Sequence, residues 1–379
     1  MIEYKLSELF ELQMGKTPSR NNPAYWDSPD NAWISISDLS NAGKYIFNTK
    51  EALSDLAIDE SGIKEIPPNT VIMSFKLSIG KVAITPVKMY SNEAIIAFID
   101  KGVVELIPDY IYYLLLYKNW DVGTNKAVMG KTLNKATLSE ITVCIHDIDV
   151  QNKIVFVLDK VKEIMSMRQK QLQDLDTLIK ARFVEMFGDV ATDNYKYETR
   201  KLGDVADVGS SHRVFTTEFV DSGIPFYRGT EIGELANGIK PTEPYYISEE
   251  HYNRLAKDDT KPQIGDLLMP SICNKGQVWM VDTNEPFYYK DGRVLCISPN
   301  REIFDSKYLE YFMRVKTLVE YPKLGSGSTF AEFKIFLLKD IDALIPPIEL
   351  QNQFAAFVRQ VDKLKVTIMN IKNIHTKRI

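Results

Sequence analysis

Short motifs that could support catalysis or nucleotide binding are incomplete in this sequence. Gly130-Lys131-Thr132 matches the end of a phosphate-binding GxxxxGK[ST] loop, but Asn125 stands where the first glycine of that loop is required. Glu332-Phe333-Lys334 matches the Glu-x-Lys part of some nuclease sites, a triplet that is common by chance. Both Pro-Pro pairs follow isoleucine and precede no aromatic residue, unlike the Asn/Asp-Pro-Pro-aromatic motif of methyltransferases. We therefore expect a non-catalytic chain.

Histidine and cysteine are too dispersed to predict a metal site or a catalytic triad. The 4 histidines and 3 cysteines lie far apart, and no two cysteines have the CxxC spacing of zinc ligands. Scattered cysteines are typical of a reducing compartment. No apolar segment reaches the roughly 18 residues that span a bilayer, and no secretory leader is recognisable at the start. We predict a cytoplasmic protein that needs no cofactor, metal or membrane.

The charge balance argues against tight binding of nucleic acid by this chain alone. Its 379 residues include 46 Lys and Arg and 51 Asp and Glu, which gives a formal net charge of −5. Domains that bind nucleic acid independently usually carry a basic excess. A basic face on each domain, or partners that supply phosphate contacts, remains compatible with this composition.

The second half of the sequence repeats the first in five segments that keep their order. The paired segments are 5–6 with 201–202, 33–39 with 226–232, 69–84 with 265–280, 131–133 with 328–330, and 149–161 with 349–361. The third pair matches Met73 with Met269 and Gly80 with Gly276. A nearly constant offset of about 200 residues across five segments in the same order indicates a duplicated domain.

Each repeat is predicted to be a mixed domain followed by a long helix. The β-branched runs 70–75 and 81–87 predict strands, whereas 109–118 and 306–321 have the apolar spacing of helices. The predicted fold class is α+β, with two tandem mixed α/β domains, each followed by a long helix. The predicted boundaries are domain 1 at 1–147, helix 1 at 148–188, domain 2 at 189–345 and helix 2 at 346–379.

Apolar residues of the two long helices recur at the alternating spacing of a coiled-coil seam. The predicted seam residues are Ile154, Leu158, Val161, Met165, Leu172, Leu175, Ile179 and Met186 in the first helix, and Phe354, Phe357, Val361, Leu364, Ile368 and Ile371 in the second. These narrow apolar faces predict that the two helices form an antiparallel coiled coil. In the alternative arrangement each helix packs on its own domain.

Two segments resemble the specificity subunits of type I restriction–modification systems. Residues 14–39, MGKTPSRNNPAYWDSPDNAWISISDL, are similar to the family's opening Gly-x-Thr-Pro turn, Tyr-Trp pair and Trp-Ile-x-x-x-Asp-Leu strand. Residues 345–364, IPPIELQNQFAAFVRQVDKL, resemble the Pro-Pro and Gln that open the family's long helix. The first repeat departs from this pattern with IHDID at 145–149, and the second repeat has GSSHRVF at 209–215 in place of the opening turn.

The resemblance implies a DNA-recognition subunit without catalytic activity. In this family each globular domain binds one half of a bipartite DNA site from the major groove, and the helix pair fixes the distance between the half-sites. The implied partners are double-stranded DNA, two modification subunits that methylate adenine, and restriction subunits that translocate and cut DNA. Because the two domains differ in loop sequence, the implied target is asymmetric.

Loop residues with basic, amide or hydroxyl side chains are the expected DNA contacts, because such groups bind phosphates and base edges. In the first domain the candidates are Lys16, Thr17, Ser19, Arg20, Lys76, Ser78, Lys81, Lys126, Lys131 and Asn134. In the second domain they are Ser210, Ser211, Arg213, Tyr227, Arg228, Asn274, Lys275, Gln277, Arg293, Ser326 and Ser328. For each residue the alternative is a solvated surface group or a turn-forming side chain. Trp26, Trp33 and Trp279 are expected in the core.

Arg228 carries the most specific expectation. A guanidinium at this position can donate two hydrogen bonds to O6 and N7 of a guanine. The alternative is a salt bridge with Glu231 or Glu234 on the same edge. Two other functions remain open: a scaffold of two protein-binding domains, which the acidic charge favours, and a methyltransferase remnant that binds S-adenosylmethionine.

Overall fold

The structure is a computed structural model of the chain. It describes residues 1–76, 78–120, 133–256, 261–324 and 331–376, and beyond residue 369 it describes the backbone alone. The chain divides into two compact units, Met1–Ser166 and Met167–Ile379.

The described part of the first unit contains nine strands and the start of the longest helix. The strands are β1 (Ile2–Lys5), β2 (Phe10–Met14), β3 (Asn31–Ile34), β4 (Glu51–Leu53), β5 (Thr70–Ser74), β6 (Val82–Thr85), β7 (Tyr90–Ser91), β8 (Ile95–Asp100) and β9 (Thr142–Ile145). The helices are α1 (Leu6–Leu9), α2 (Ile36–Asn41), α3 (Asp55–Ser61), α4 (Pro108–Leu116), α5 (Lys135–Glu140) and α6 (Ile148–Phe187), which continues into the second unit. The sheet orders are β1-β9, β2-β8-β5-β6 and β4-β3-β7.

The second unit repeats these sheets with one additional strand in the smaller mixed sheet and an extra two-stranded ribbon. Its strands are β10 (Gly188–Asp189), β11 (Asn194–Tyr195), β12 (Thr199–Lys201), β13 (Ala206–Gly209), β14 (Phe219–Val220), β15 (Ile224–Tyr227), β16 (Tyr245–Ile247), β17 (Leu267–Pro270), β18 (Trp279–Met280), β19 (Tyr288–Tyr289), β20 (Val294–Pro299) and β21 (Asp342–Leu344). Its further helices are α7 (Leu202–Val205), α8 (Gly229–Ala236), α9 (Glu249–Leu255), α10 (Ser306–Glu320), α11 (Ile335–Lys339) and α12 (Ile348–Thr376). The sheet orders are β10-β11, β12-β21, β13-β20-β17-β18 and β14-β16-β15-β19.

The two units share the register of their four-stranded sheets. Val71 pairs with Ile84 on one side and Phe98 on the other. Leu267, its counterpart in the predicted repeat, pairs with Met280 and Ile297. The turns after β5 and β17 also correspond, because Gly80 and Gly276 both adopt positive φ angles, 86° and 65°, which favour glycine. The predicted duplication and the predicted fold class are therefore confirmed.

Both faces of each four-stranded sheet are buried, so helices and loops are fixed on either side. In the first unit, alternate residues of β5 and β8 pack against α4 on one face and against Ile34 and Leu39, around the start of α2, on the other. In the second unit β17 and β20 pack against α10 on one face and against Ile232 of α8 on the other. The loops at the ends of these strands are consequently held by packing on both sides.

The tryptophans largely follow the expectation of a core position. Trp33 and Trp279 are 1% and 5% exposed, and Trp26 is half-buried against Trp33.

Within the second unit, α12 lies antiparallel to the last part of α6. The ring of Phe354 lies 5.3 Å from that of Phe183, and Lys365 Nζ lies 2.5 Å from Asp176 Oδ1. Later residues of α6 therefore face earlier residues of α12, as an antiparallel pair requires.

The predicted apolar seam is only partly correct. Phe183 and Phe187 were not assigned to it, yet they are 2% and 0% exposed, whereas Leu364 was assigned and is 56% exposed. The end of α6 packs against α10 and the domain core as well as against α12, so its apolar face is wider than a two-helix seam.

Candidate nucleic-acid interface

The opening turn of the first unit is bonded to the loop between β7 and β8. Gly15 N donates to Ile95 O at 3.1 Å and Lys16 N to Ser91 O at 2.8 Å. The hydroxyl of Thr17 donates to the Glu93 carboxylate and accepts from the side-chain amide of the neighbouring Asn92. The Lys16 ammonium donates to the carbonyl of Ser61. The turn and the loop thus form one surface with mixed charge.

The segment after β5 reaches the same loop from its other side. Phe75 N donates to Ala94 O at 3.0 Å, and Leu133 N donates to Phe75 O at 3.1 Å. These bonds place Lys76 and Asn134 beside the loop, with Ser78 next to Lys76 through a 2.7 Å backbone bond. We call residues 15–17, 75–76, 78, 91–95 and 133–134 the first-unit patch. The Asn134 side chain also caps α5, since its Oδ1 accepts from Thr137 N at 2.8 Å.

Three candidates of the first domain form their hydrogen bonds with residues outside the first-unit patch. Arg20 lies 3.6 Å above the centre of the Trp26 ring and forms a bidentate ion pair with Glu51. Ser19 accepts a bond from the indole of Trp26 at 3.1 Å through its carbonyl. Lys81 directs its ammonium to the hydroxyl of Ser40, at the end of α2, at 2.7 Å.

In the second unit, Ser210, Ser211 and Arg213 all bond to the segment that joins β19 to β20. Ser210 Oγ donates to Val294 O at 2.7 Å, and Ser211 Oγ donates to Tyr289 O at 2.5 Å. Arg213 Nε donates to the Asp291 carboxylate at 3.1 Å. The sequence that replaces the Gly-x-Thr-Pro turn therefore occupies the equivalent place beside the equivalent loop.

The same segment touches the start of α8 and the end of β17. Lys290 N donates to Tyr227 O at 2.9 Å, and Ser271 N donates to Arg293 O at 2.9 Å. A Cβ atom at Gly229 would lie 3.1 Å from Pro270 Cβ, so this glycine permits close packing within the chain itself. We call residues 210–213, 227–229, 270–277 and 289–294 the second-unit patch.

The turn after β17 extends this patch along α8. Lys275 N donates to Gln277 Oε1 at 3.0 Å, which holds the turn closed. A Cβ atom at Gly233 would lie 3.8 Å from Gln277 Cγ, so the glutamine lies beside α8. Asn274 and Lys275 are exposed.

Arg228 forms the salt bridge with Glu231 that the sequence left open as an alternative. Its Nη2 lies 2.6 Å from Glu231 Oε1 and its Nε 3.2 Å from Oε2. Burial on its own would raise the pKa of Glu231, but the hydrogen bonds from Arg228 hold that pKa below its ordinary value. The Arg228 guanidinium also lies 4.4 Å above the Tyr245 ring.

Carboxylates pair with the candidate arginines of both units, and sequence reasoning anticipated only the pair of Arg228 with Glu231. Each of the four candidate arginines is ion-paired: Arg20 with Glu51, Arg213 with Asp291, Arg228 with Glu231, and Arg293 with Glu332. The candidates were chosen as hydrogen-bond donors to DNA, and Glu231 and Glu234 were the only acids considered as their partners. Of the four paired acids, only Glu231 could be recognised from the sequence. It stands three residues after Arg228, which precedes α8, and this is the spacing of a helix-capping acid.

Four candidates, Lys126, Lys131, Ser326 and Ser328, lie outside the described residues. Within the described ranges, no cluster of three or more His, Cys, Asp or Glu side chains could hold a metal ion. In the same part of the chain, no helix has the length and apolarity needed to cross a membrane.

The chain matches the protein family described as type I restriction modification DNA specificity domain, over residues 1–176 and 194–376. It is 24% identical to the MjaIX type I restriction enzyme specificity subunit of Methanocaldococcus jannaschii, over 94% of this chain and 85% of that protein. It is 28% identical to the EcoprrI specificity subunit of Escherichia coli, over 97% of this chain and 89% of that protein.

Two solved structures share the fold. The S subunit of a type I restriction–modification system from M. genitalium aligns with a TM-score of 0.53 and 13% identity, over 99% of this chain and 92% of that one. A chain from a study of assembly and conformational transition of the type I restriction–modification system aligns with a TM-score of 0.60 and 16% identity, over 100% and 93%.

Proposed function

The chain belongs to the type I restriction–modification DNA specificity family, and on this premise we propose that it is the subunit that recognises the DNA target of such a complex. The resemblance drawn from residues 14–39 and 345–364 is confirmed by this family match. Each unit reads one half of a bipartite target, and the long helices separate the half-sites. In this proposal the recognition domains are 1–147 and 189–345, and the spacer helices are 148–188 and 346–379.

One observation carries the proposal: the two units build equivalent patches on the same scaffold from different side chains. Both patches combine the turn that follows the first strand of the four-stranded sheet, β2 or β13, with the loop that leads into the neighbouring strand, β8 or β20. At the residue before the helix on this sheet, the first unit has Ser35 and the second has Arg228. Different donors at one position of a duplicated scaffold favour an asymmetric target, because base edges are distinguished by their donors and acceptors.

The proposed partners follow from the family. Two modification subunits dock on the duplicated chain and methylate adenine, and restriction subunits join the assembly to cut DNA. The chain itself supplies recognition and no catalysis, in a cytoplasmic complex. Its net charge of −5 fits a subunit that depends on partners for part of the phosphate attraction.

The experiment is methylome sequencing of a host that carries the whole system, with this gene intact, deleted or substituted. We expect adenine methylation at one bipartite motif, lost on deletion and altered in one half by Arg228→Ala. A scaffold without a DNA role predicts that loss of the gene changes methylation amount while patch substitutions leave the motif intact. That result would reject the proposal.

The isolated chain should show no methylation, nuclease or ATPase activity, since no complete motif for these reactions is present. Binding of S-adenosylmethionine by the purified chain would instead support the methyltransferase remnant. Turnover by the highly purified chain that is lost on a substitution in one of the incomplete motifs, Lys131→Ala or Glu332→Gln, would overturn this expectation, whereas turnover that survives both substitutions would indicate a contaminating enzyme.

A further inference from the structure

Helix formation does not explain the arginine at position 228. The residue that precedes a helix is usually one whose side chain accepts a hydrogen bond from the first turn. In the first unit Ser35 does this, because its hydroxyl accepts from Asp38 N at 3.1 Å. An arginine has no acceptor, and Arg228 makes no such capping bond. The second unit gives up this bond, so another role must account for the side chain.

Glu231 fixes the guanidinium of Arg228 in one orientation. The Glu231 side chain is only 5% exposed, whereas that of Arg228 is 37% exposed. The carboxylate accepts three bonds from Arg228: from the backbone N at 2.8 Å, from Nε at 3.2 Å and from Nη2 at 2.6 Å. The Tyr245 ring, 4.4 Å from Cζ, supports the guanidinium from its face. The side chain is therefore held along both its edge and its plane.

Glu231 does not bind the terminal edge of the Arg228 guanidinium, the edge formed by Nη1 and the second proton of Nη2. A guanidinium has five N–H donors in a planar fork. Glu231 uses Nε and one proton of Nη2, which is the side edge of that fork. The terminal edge, formed by Nη1 and the second proton of Nη2, has the spacing that matches O6 and N7 of guanine.

The backbone at Arg228 lies within the second-unit patch, and its guanidinium lies beside this patch, against Glu231 and Tyr245. The neighbouring Tyr227 carbonyl is bonded to Lys290, and Gly229 packs on Pro270, so three segments of the patch meet at this residue. Because α8 is also packed on the four-stranded sheet through the buried Ile232, the support behind Arg228 is rigid.

We propose that Glu231 is a positioning residue that holds Arg228 for recognition of one guanine in the half-site read by the second unit. This inference rests on the proposed function. An unrestrained arginine contacts phosphates of any sequence and loses side-chain entropy when it binds a base. A buried carboxylate reduces non-specific phosphate binding because it neutralises the charge of the arginine. It also reduces the entropy lost on base recognition, because the side chain is already fixed.

The inference predicts opposite changes in affinity and discrimination. Glu231→Gln retains an oxygen that accepts the Arg228 backbone bond but removes the negative charge. In the assembled complex with its modification subunits, we expect binding to duplexes without the target to become tighter. The ratio of the affinity for the target to the affinity for a duplex in which the guanine is replaced should fall roughly tenfold. This lies within the roughly 5- to 150-fold discrimination of a bidentate contact.

Three further variants test whether Glu231 acts through Arg228. Arg228→Ala should remove the same discrimination, and Arg228→Lys should restore affinity without restoring discrimination. The double variant Arg228→Ala/Glu231→Gln should discriminate no worse than Arg228→Ala alone, because the two residues act in series. Asp38→Asn, at the equivalent cap beside Ser35, is the matched control and should change stability without changing either half-site.

The readout is equilibrium binding at fixed salt to a panel of single-base variants of the target, with the melting temperature of each variant measured in parallel. Uniform tightening for all sequences by Glu231→Gln, with discrimination unchanged, would overturn the inference and assign Arg228 to a phosphate. A lower melting temperature of Glu231→Gln, with unchanged relative affinities for the single-base variants, would also overturn the inference, since Glu231 would then be only a helix cap. If the wild-type complex itself showed no preferred sequence, the proposed function would fail together with this inference.

Discussion

Gln151 and Gln351 make the same three hydrogen bonds in the two units. The side-chain oxygen of Gln151 accepts from Ile107 N, and its amide donates to the carbonyls of Glu105 and His146. Gln351 accepts from Asp305 N and donates to the carbonyls of Ile303 and Pro346. Both side chains are 0% exposed. Each glutamine thus ties the first turn of a long helix to the segment just before α4 or α10 and to the residues that lead into the long helix itself.

Replacement of Gln351 by leucine should destabilise the second unit by about 3 kcal/mol or more, because each buried polar group left without a partner costs about 1–3 kcal/mol. Hydrogen exchange of the full chain should show faster exchange at the starts of α10 and α12. Asn352→Leu is the control, since that neighbour is exposed. Equal protection of the two variants would show that Gln351 does not hold these segments together.

The ion pair between the buried Lys316 and Asp193 should make the stability of the second unit fall at acidic pH. Lys316 is 3% exposed and donates to Asp193 at 2.8 Å. Hydrogen bonds from Lys316 and Tyr195 lower the pKa of Asp193 below its ordinary value of 3.8. A carboxyl with a depressed pKa stabilises the fold above its unfolded pKa, and this contribution is lost as the pH falls through the folded value.

Asp193→Asn should therefore cost about 1 kcal/mol at pH 7, a modest figure because the carboxylate is half-exposed and Lys316 keeps Glu320 as a partner. The difference from the wild type should shrink below about pH 4. Chemical denaturation at several pH values measures it. Asp340→Asn, in an exposed pair with Lys201, should cost less at every pH; a similar cost for both variants would contradict the role of burial.

The sequence was sufficient to predict the duplication, because the residues that set strand register recur. The match of Met73 with Met269 and of Gly80 with Gly276 corresponds to the same buried strand and the same turn in both units. Hydrophobic spacing likewise predicted α4 and α10, since each packs one apolar face on a sheet.

The candidate site was harder to predict, because its geometry depends on contacts between distant segments. Nothing local in the sequence places Arg213 beside Asp291, or Arg293 beside Glu332. Two residues of the helix seam were missed for a related reason: Phe183 and Phe187 are buried by α10 and Phe354, which heptad spacing in α6 alone does not reveal.

Neutralising Glu332 should increase non-specific DNA binding. Its carboxylate pairs with Arg293 at 2.6 Å and with Lys334. The hydrogen bond from Lys334, together with the charges of Lys334 and Arg293, holds the pKa of Glu332 below its ordinary value. Glu332 is therefore ionised at neutral pH, and Glu332→Gln would free Arg293 and Lys334 for phosphates. The slope of log affinity against log salt should steepen by about 0.9 for each freed cation that contacts a phosphate.

Binding of the assembled complex to a duplex without the target, measured from low to moderate salt, gives this slope. The control is Glu198→Gln, which frees Arg200 on β12 outside the second-unit patch. If both substitutions steepen the slope equally, the effect is one of net charge and not of the patch.

Arg20 is the candidate for which the structure predicts a stabilising role without base recognition. Its guanidinium is covered on one face by Trp26 and engaged on its terminal edge, Nη1 and Nη2, by Glu51. In Arg228, by contrast, the acid takes the side edge.

Arg20→Ala should lower the stability of the first unit by about 1 kcal/mol, from the lost cation–π contact and an exposed ion pair. The base preference of the first half-site should not change. Thermal denaturation and the single-base panel measure the two effects together. Lys16→Ala, in the first-unit patch, is the comparison and should weaken binding to all sequences with little change in stability. If Arg20→Ala relaxed the preference at one base while stability stayed constant, Arg20 would have to leave Trp26 and Glu51 on binding DNA, and the first unit would also recognise a base through an arginine.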